Sequence, residues 1–193
     1  SFMIKDQNKP VVVTGAQRSP DRGSFDGKQN LVCSGIYAAN SNTSETVVAF
    51  HSSSSDDSCD VMRGTKVRKM HSTRRDAFKP INDSPLARVY QNGKIDFLQK
   101  TAQSKKEDCT LDNVFEEKTA LIKAYPGSNP EVIDFFVDKG YPGIVVEATA
   151  LGQVPTHTLD KKYSWNNSVK RAIEEGVVIA FATQCLFGVV SPF

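Results

Sequence analysis

Residue types and spacing point to several possible chemistries. The first is Val11-Val12-Val13-Thr14-Gly15-Ala16, an apolar run ending in a small-residue turn, as at the start of a dinucleotide-binding unit. That chemistry needs further glycines, so that backbone can approach a pyrophosphate and a helix can start beside it. Here Gln17-Arg18-Ser19-Pro20-Asp21-Arg22 follows, no glycine returns before Gly23, and Pro20 obstructs an immediate helix. A nucleotide site is therefore disfavoured. The second is the basic run from Arg63 to Arg75, with Arg63, Lys66, Arg68, Lys69, Arg74 and Arg75. It lacks the interleaved aromatics on which bases stack, and the commoner reading is a solvated strand edge and loop. Third come His51, His71 and His157. No two are spaced as a helical metal pair, and each reads as structural; Cys59 has still less to support it as a nucleophile.

The elements that must position these residues are legible in outline. Pro10–Thr14 is a continuous β-branched run, as expected of a buried parallel strand. Gly15–Gly27 is rich in Gly, Ser, Asp and Arg and reads as a loop. Asp26 is a plausible N-cap for a helix to about Ala39, with Leu31, Val32, Gly35, Ile36 and Ala39 on its apolar face. A strand follows at Thr46–His51. Ser52–Asp60 reads as a loop, Lys66–Met70 as a short alternating segment, and Gln91-Asn92-Gly93 as the turn of a hairpin.

The second half alternates more clearly. Thr119–Tyr125 is a strand, Pro130 opens a helix through Val132, Ile133, Phe136 and Val137, and Gly140 ends it. Gly143–Glu147 is a strand, Ser164 caps a helix ending at Gly176, and Val177–Thr183 is another strand. The order β-α-β-α-β implies a parallel, helix-covered sheet. Residues 1–98 and 118–193 thus read as two domains, with the polar stretch 99–117 as their linker. Ser1–Lys5 reads as the last turn of a helix already under way, and both ends read as interrupted.

The bulk properties exclude more than they assign. A length of 193 residues, 39% apolar and 24% charged, is that of an ordinary soluble globular protein. A formal charge of +2 gives no electrostatic case for nucleic acid. No apolar run has membrane-spanning length, and no signal peptide opens the chain. Cysteines 33, 59, 109 and 185 form no C-x-x-C pair, so they read as reduced thiols of a cytoplasmic protein.

Pro10–Asp26 (PVVVTGAQRSPDRGSFD), Met62–Asn82 (MRGTKVRKMHSTRRDAFKPIN) and Lys123–Gly152 (KAYPGSNPEVIDFFVDKGYPGIVVEATALG) resemble, in order and over nearly the whole chain, the asparaginase/glutaminase family. Within it they are most like the amide-cleaving D subunits of archaeal-type glutamyl-tRNA(Gln) amidotransferases. The resemblance implies an asparaginase-like α/β fold: two three-layer α/β/α domains with parallel sheets, the first lacking its N-terminal part and the second truncated.

It also implies amide hydrolysis by a threonine nucleophile, activated by a second threonine, a lysine and an aspartate. The threonines and aspartate come from T-G-G-T and G-T-D-T motifs, and neither occurs in these 193 residues. The lysine falls at Lys69, in Arg68-Lys69-Met70-His71. Lysine suits such work, because burial or nearby positive charge draws its pKa down. Gly15 and Ala16 fall where the family brings backbone close to the substrate amide.

Glu147–Gln153 and the tail after Gly188 depart from the family pattern, so no second-domain residue is carried over. Glutamine or asparagine is the implied amide donor. The implied assembly is a homodimer with the amidotransferase's E subunit, which carries ATP and Mg²⁺ and most of the contact to tRNA. No cofactor is implied for this chain. The alternatives are a free-standing cytosolic L-asparaginase and an inactive fragment that acts only as an interaction surface.

Overall fold

The computed structural model describes residues 1–103 and 108–191. It divides into two compact units, Ser1–Val114 and Phe115–Phe193.

The first unit opens with β1 (Ile4–Lys5) and β2 (Val11–Val13), followed by α1 (Gly27–Asn40), β3 (Thr46–His51) and β4 (Ser58–Arg63). Then come β5 (Val67–Lys69), β6 (Phe78–Pro80), β7 (Ala87–Tyr90), β8 (Ile95–Phe97) and β9 (Thr110–Leu111). Its main sheet runs in the order β2-β3-β4-β7-β8. Only β2 and β3 pair in parallel; the other neighbours are antiparallel. The first sheet, expected to be parallel, is mixed, because hairpins rather than helical crossovers join β3 to β4 and β7 to β8. The β7–β8 turn is the one expected at Gln91-Asn92-Gly93. Gly93 sits at φ +92°, which costs a residue without Cβ little, and Asn92 Oδ1 accepts from Lys94 N at 3.0 Å.

One face of that sheet is covered by α1, whose Cys33 and Tyr37 pack on Val47, Ala49, Cys59, Val61 and Val89. On the other face Phe50 of β3 stacks on Phe78 of the β5–β6 hairpin, ring centroids 4.2 Å apart. The helix starts after Asp26, as expected, but buries a different face. Leu31 is 67% exposed, whereas Gln29, Asn30, Cys33, Ser34 and Tyr37 are buried. Apolar periodicity misplaced the face because the buried amides have fixed partners: Gln29 bonds Gln91, and Asn30 bonds Gly15, Asp26 and His51.

Other expectations are corrected too. Ser1–Lys5 is no helix turn: Ile4 and Lys5 pair antiparallel with Leu111 and Thr110, inside the stretch read as linker. Five residues carry no period of their own, so the long-range partner decides. Pro10–Thr14 is not a fully buried strand, since β2 lies at the edge of the sheet with Val13 half-exposed. Ser58–Asp60, read as loop, begins the largely buried β4. Part of the linker stretch, residues 104–107, lies outside the described residues.

The second unit is a three-stranded parallel sheet in sequential order, β10 (Thr119–Lys123), β11 (Gly143–Ala148) and β12 (Val178–Thr183), with α2 (Glu131–Asp138) and α3 (Asn166–Glu174). Strands laid down in sequence by crossovers of one hand put both helices on the same face. Accordingly Ala120, Ile122, Ile144 and Val146 pack with Ile133, Val137, Trp165 and Ala172. The α/β class is as expected, but three layers are not seen among the described residues. On the opposite face Leu121 and Val178 are exposed. Gly140 ends α2 at φ +69°, as expected. The cap of α3 is Trp165, one residue beyond Ser164, whose Oγ accepts from Asn166 N at 3.5 Å.

Candidate functional site

The loop after β2 is held from behind by a buried polar cluster. Thr14 Oγ1 donates to Ala49 O at 2.8 Å, tying the strand end to β3. Gly15 O accepts from Asn30 Nδ2 at 2.9 Å. The Asp26 carboxylate does not cap α1 with its side chain. It turns back to the loop, accepting from Gln17 N at 3.0 and 3.1 Å and from Arg18 N at 2.9 Å. Asp26 and Asn30 are fully buried, and Asn30 Nδ2 also lies 3.2 Å from Asp26 Oδ2.

The cluster continues into the strand beneath. Asn30 Oδ1 accepts from His51 N at 3.1 Å and faces His51 Nδ1 at 2.7 Å. His51 Nε2 lies 3.1 Å from Asp56 Oδ1, which also takes an ion pair from Arg75. The His51 hydrogen bond and the Arg75 charge hold Asp56 below the usual carboxylate range. His51 is thus a structural histidine, as expected. His71 Nδ1 accepts from Thr73 N and Arg74 N and closes a turn, and His157 Nδ1 contacts Thr156 Oγ1.

Lys69 stands on β5 directly opposite Phe78 of β6. It is exposed, and its ammonium lies 5.9 Å from the Phe78 ring centroid. Phe78 stacks on Phe50, and Phe50 Cζ lies 3.6 Å from where a Cβ on Gly15 would stand. Gly15 and Lys69, far apart in sequence, therefore flank a single aromatic stack. Ala16 follows Gly15 on the exposed side of the loop.

The rest of the basic run is largely neutralised within the fold. Arg63 pairs with Glu45 and Asp83, Arg75 with Asp56, and Arg74 with Asp76. Asp76 also takes Lys79 at 3.3 Å and is almost fully buried. Burial alone would raise its carboxyl, but hydrogen bonds from Arg74 and Lys79 outweigh that and hold it below the usual range. A carboxyl held lower in the folded than in the unfolded chain contributes stability above its ordinary pKa, about 3.9, and loses it as pH falls through the folded value. Asp76→Asn should therefore lower the Tm by a few degrees at pH 7. That gap should close between about pH 5 and pH 2. A gap constant over that range would show that the ion pairs contribute nothing.

Two of the four thiols are shut away from solvent. Cys33 and Cys59 are free and fully buried, and the Cys33 hydrogen bond together with burial pushes the Cys59 thiol up. Cys109 and Cys185 are exposed. Among the described residues no helix is long and apolar enough to cross a membrane.

Two family models match the chain: Asparaginase, N-terminal, over residues 1–103, and Glutaminase/Asparaginase C-terminal domain, over residues 118–193. The chain belongs to the asparaginase family. Among curated relatives, it is 47% identical over 192 residues to the D subunit of glutamyl-tRNA(Gln) amidotransferase from Pyrococcus abyssi, covering 99% of this chain and 42% of that protein. The corresponding D subunit of Methanopyrus kandleri is 42% identical over 196 residues, with 99% and 41% covered. The chain thus spans less than half the length of these relatives. Among solved structures, the thermostable L-asparaginase from Thermococcus kodakarensis superposes with a TM-score of 0.84 at 26% identity, covering 99% of this chain and 53% of that one. L-asparaginase I from Vibrio cholerae gives 0.82 at 26% identity, covering 100% and 55%.

Sequence reasoning placed Gly15, Ala16 and Lys69 through the family resemblance. It missed Asn30 and read Asp26 only as a helix cap. Their i, i+4 spacing at the start of α1 was a signal, since it puts both on the face behind the loop.

Proposed function

We propose that this chain is part of the amide-hydrolysing component of a tRNA-dependent amidotransferase, releasing ammonia from glutamine or asparagine. The supporting observation is 47% identity to the D subunit of glutamyl-tRNA(Gln) amidotransferase from Pyrococcus abyssi, against 26% to the L-asparaginases of Thermococcus kodakarensis and Vibrio cholerae. In this reading a threonine hydroxyl attacks the side-chain amide and ammonia leaves. Water then hydrolyses the acyl ester to the free acid. Lys69 serves in the proton transfers as a catalytic residue, and Gly15 and Ala16 bring main chain to the substrate amide. The ammonia passes to a partner E subunit, where ATP and Mg²⁺ activate glutamate on tRNA, and the amidase component itself pairs as a homodimer in the cytoplasm.

The test is ammonia release by the full-length protein, with and without the E subunit, Glu-tRNA(Gln) and ATP. The expected result is glutamine or asparagine turnover that rises when the partner and charged tRNA are added. Full turnover of asparagine with no response to either would instead identify a free-standing L-asparaginase.

A further inference from the structure

A trans peptide points its C=O and its N–H in opposite directions, and among the described residues there is no cis peptide bond. The Gly15 carbonyl is drawn inward to Asn30, so the Ala16 N–H on the same peptide faces outward. The Gln17 N–H is drawn inward to Asp26, so the Ala16 C=O on that peptide faces outward as well. Ala16 is exposed, and among the described residues neither of its main-chain groups takes a partner. One donor and one acceptor therefore stand side by side on a fixed loop, which matches the acceptor and donor of a primary carboxamide.

The tethers are built to hold that arrangement. Asp26 is a fully buried carboxylate that forms no ion pair among the described residues; its bonds go to Gln17 N, Arg18 N and Asn30 Nδ2. The Asn30 amide can point only one way, since its oxygen is taken by His51 N and its nitrogen by Gly15 O and Asp26. Smallness is needed beside it. A Cβ on Gly27 would stand 3.1 Å from Ala16 Cβ and 2.5 Å from Phe25 Cζ, pushing on the loop from below.

We propose that Asp26 and Asn30 are positioning residues for amide hydrolysis: they turn the peptides on either side of Ala16 so that its N–H and C=O both face the substrate carboxamide. This deepens the amidase reading and rests on it. The two residues touch no substrate atom; they act through the loop.

The test compares glutamine with glutamate γ-methyl ester in the full-length protein. The ester's leaving group has no N–H to give the Ala16 carbonyl, so it cannot use that half of the pair. Asp26→Ala and Asn30→Ala should lower kcat/KM for glutamine more than for the ester, by about two- to tenfold, the worth of one hydrogen bond. Asp26→Asn keeps an oxygen for Gln17 and Arg18 and should recover part of that difference.

Hydrogen exchange gives a second reading that does not depend on turnover. The amides of Gln17 and Arg18 should exchange slowly and that of Ala16 fast, and Asp26→Ala should release the first two. Equal losses on amide and ester, with no partial recovery in Asp26→Asn, would overturn the proposal and leave Asp26 a purely structural group. If the parent protein cleaves neither substrate, the amidase reading fails. The tether is then judged by exchange alone, where unprotected Gln17 and Arg18 amides would overturn it.

Discussion

Replacing Lys69 with alanine should lower amide turnover of the full-length protein by about a hundred- to ten-thousand-fold, the range typical of a lost proton-transfer group. The fold should be left as it was. Lys69 is exposed, and its ring contact, with Phe78, lies at 5.9 Å. A cation at such an exposed site is worth about 0.5–1 kcal/mol, so the Tm should move little. The structural role of β5 and β6 is carried by other groups: their backbone ladder, and the Arg74–Asp76–Lys79 ion pairs. Lys69→Ala therefore separates chemistry from stability. Ammonia release and a melting curve on the same preparation decide it. A variant that keeps more than about half of its turnover would return Lys69 to the surface, well outside the effect of a catalytic proton carrier.

The parts of this fold that were legible in the sequence are those fixed by local rules. Gly93 and Gly140 ended a hairpin turn and a helix where their positive φ values favour glycine. The β-α-β-α-β order of the second half gave its parallel sheet, because a helix of clear period separates each strand from the next. What stayed hidden depends on partners far away in sequence. Two residues of β1 are strand only because Thr110 and Leu111 lie alongside. The serine-rich stretch reads as loop, yet Ser58, Cys59 and Asp60 are buried because β3 and β7 flank β4 on both sides.

The candidate site divides in the same way. Lys69, Gly15 and Ala16 came from family resemblance, and no feature of their own types or spacing would have selected them. The aromatic stack that relates them joins β3 to β6, and no periodic pattern within either strand announces it. Helix α1 departs furthest from its pattern. Its apolar residues pointed to one face and its buried amides lie on another, because a polar side chain with its bonds made inside the protein can displace an apolar one from the interior. One of those amides, Asn30, holds the loop that the proposed chemistry needs, so part of the departure from simple patterning falls at the candidate site.

Residues 1–193 expressed by themselves should release no measurable ammonia from glutamine or asparagine. The mechanism implied by the family needs an attacking threonine, and neither T-G-G-T nor G-T-D-T occurs in the sequence. Among the threonines present, Thr14 adjoins the candidate loop, but its hydroxyl proton is given to Ala49 O rather than to a base. A nucleophile acts as one unit with its activating groups, so its removal costs on the order of a million-fold and the remaining members cannot replace it. Lys69 and the Ala16 main chain would bind and orient an amide with nothing to attack it. Solubility should suffer as well. β2 is an edge strand of three valines, with Val11 and Val13 partly exposed, and the second sheet presents Leu121 and Val178 on an uncovered face. An apolar edge pairs with other chains, and an exposed apolar face adheres to them. The experiment is ammonia release together with elution volume, repeated after a segment carrying both motifs, taken from one of the archaeal amidotransferase relatives, is joined ahead of Ser1. Turnover should appear only in the joined protein, and a soluble monomer of residues 1–193 with real turnover would require the nucleophile to lie within this sequence.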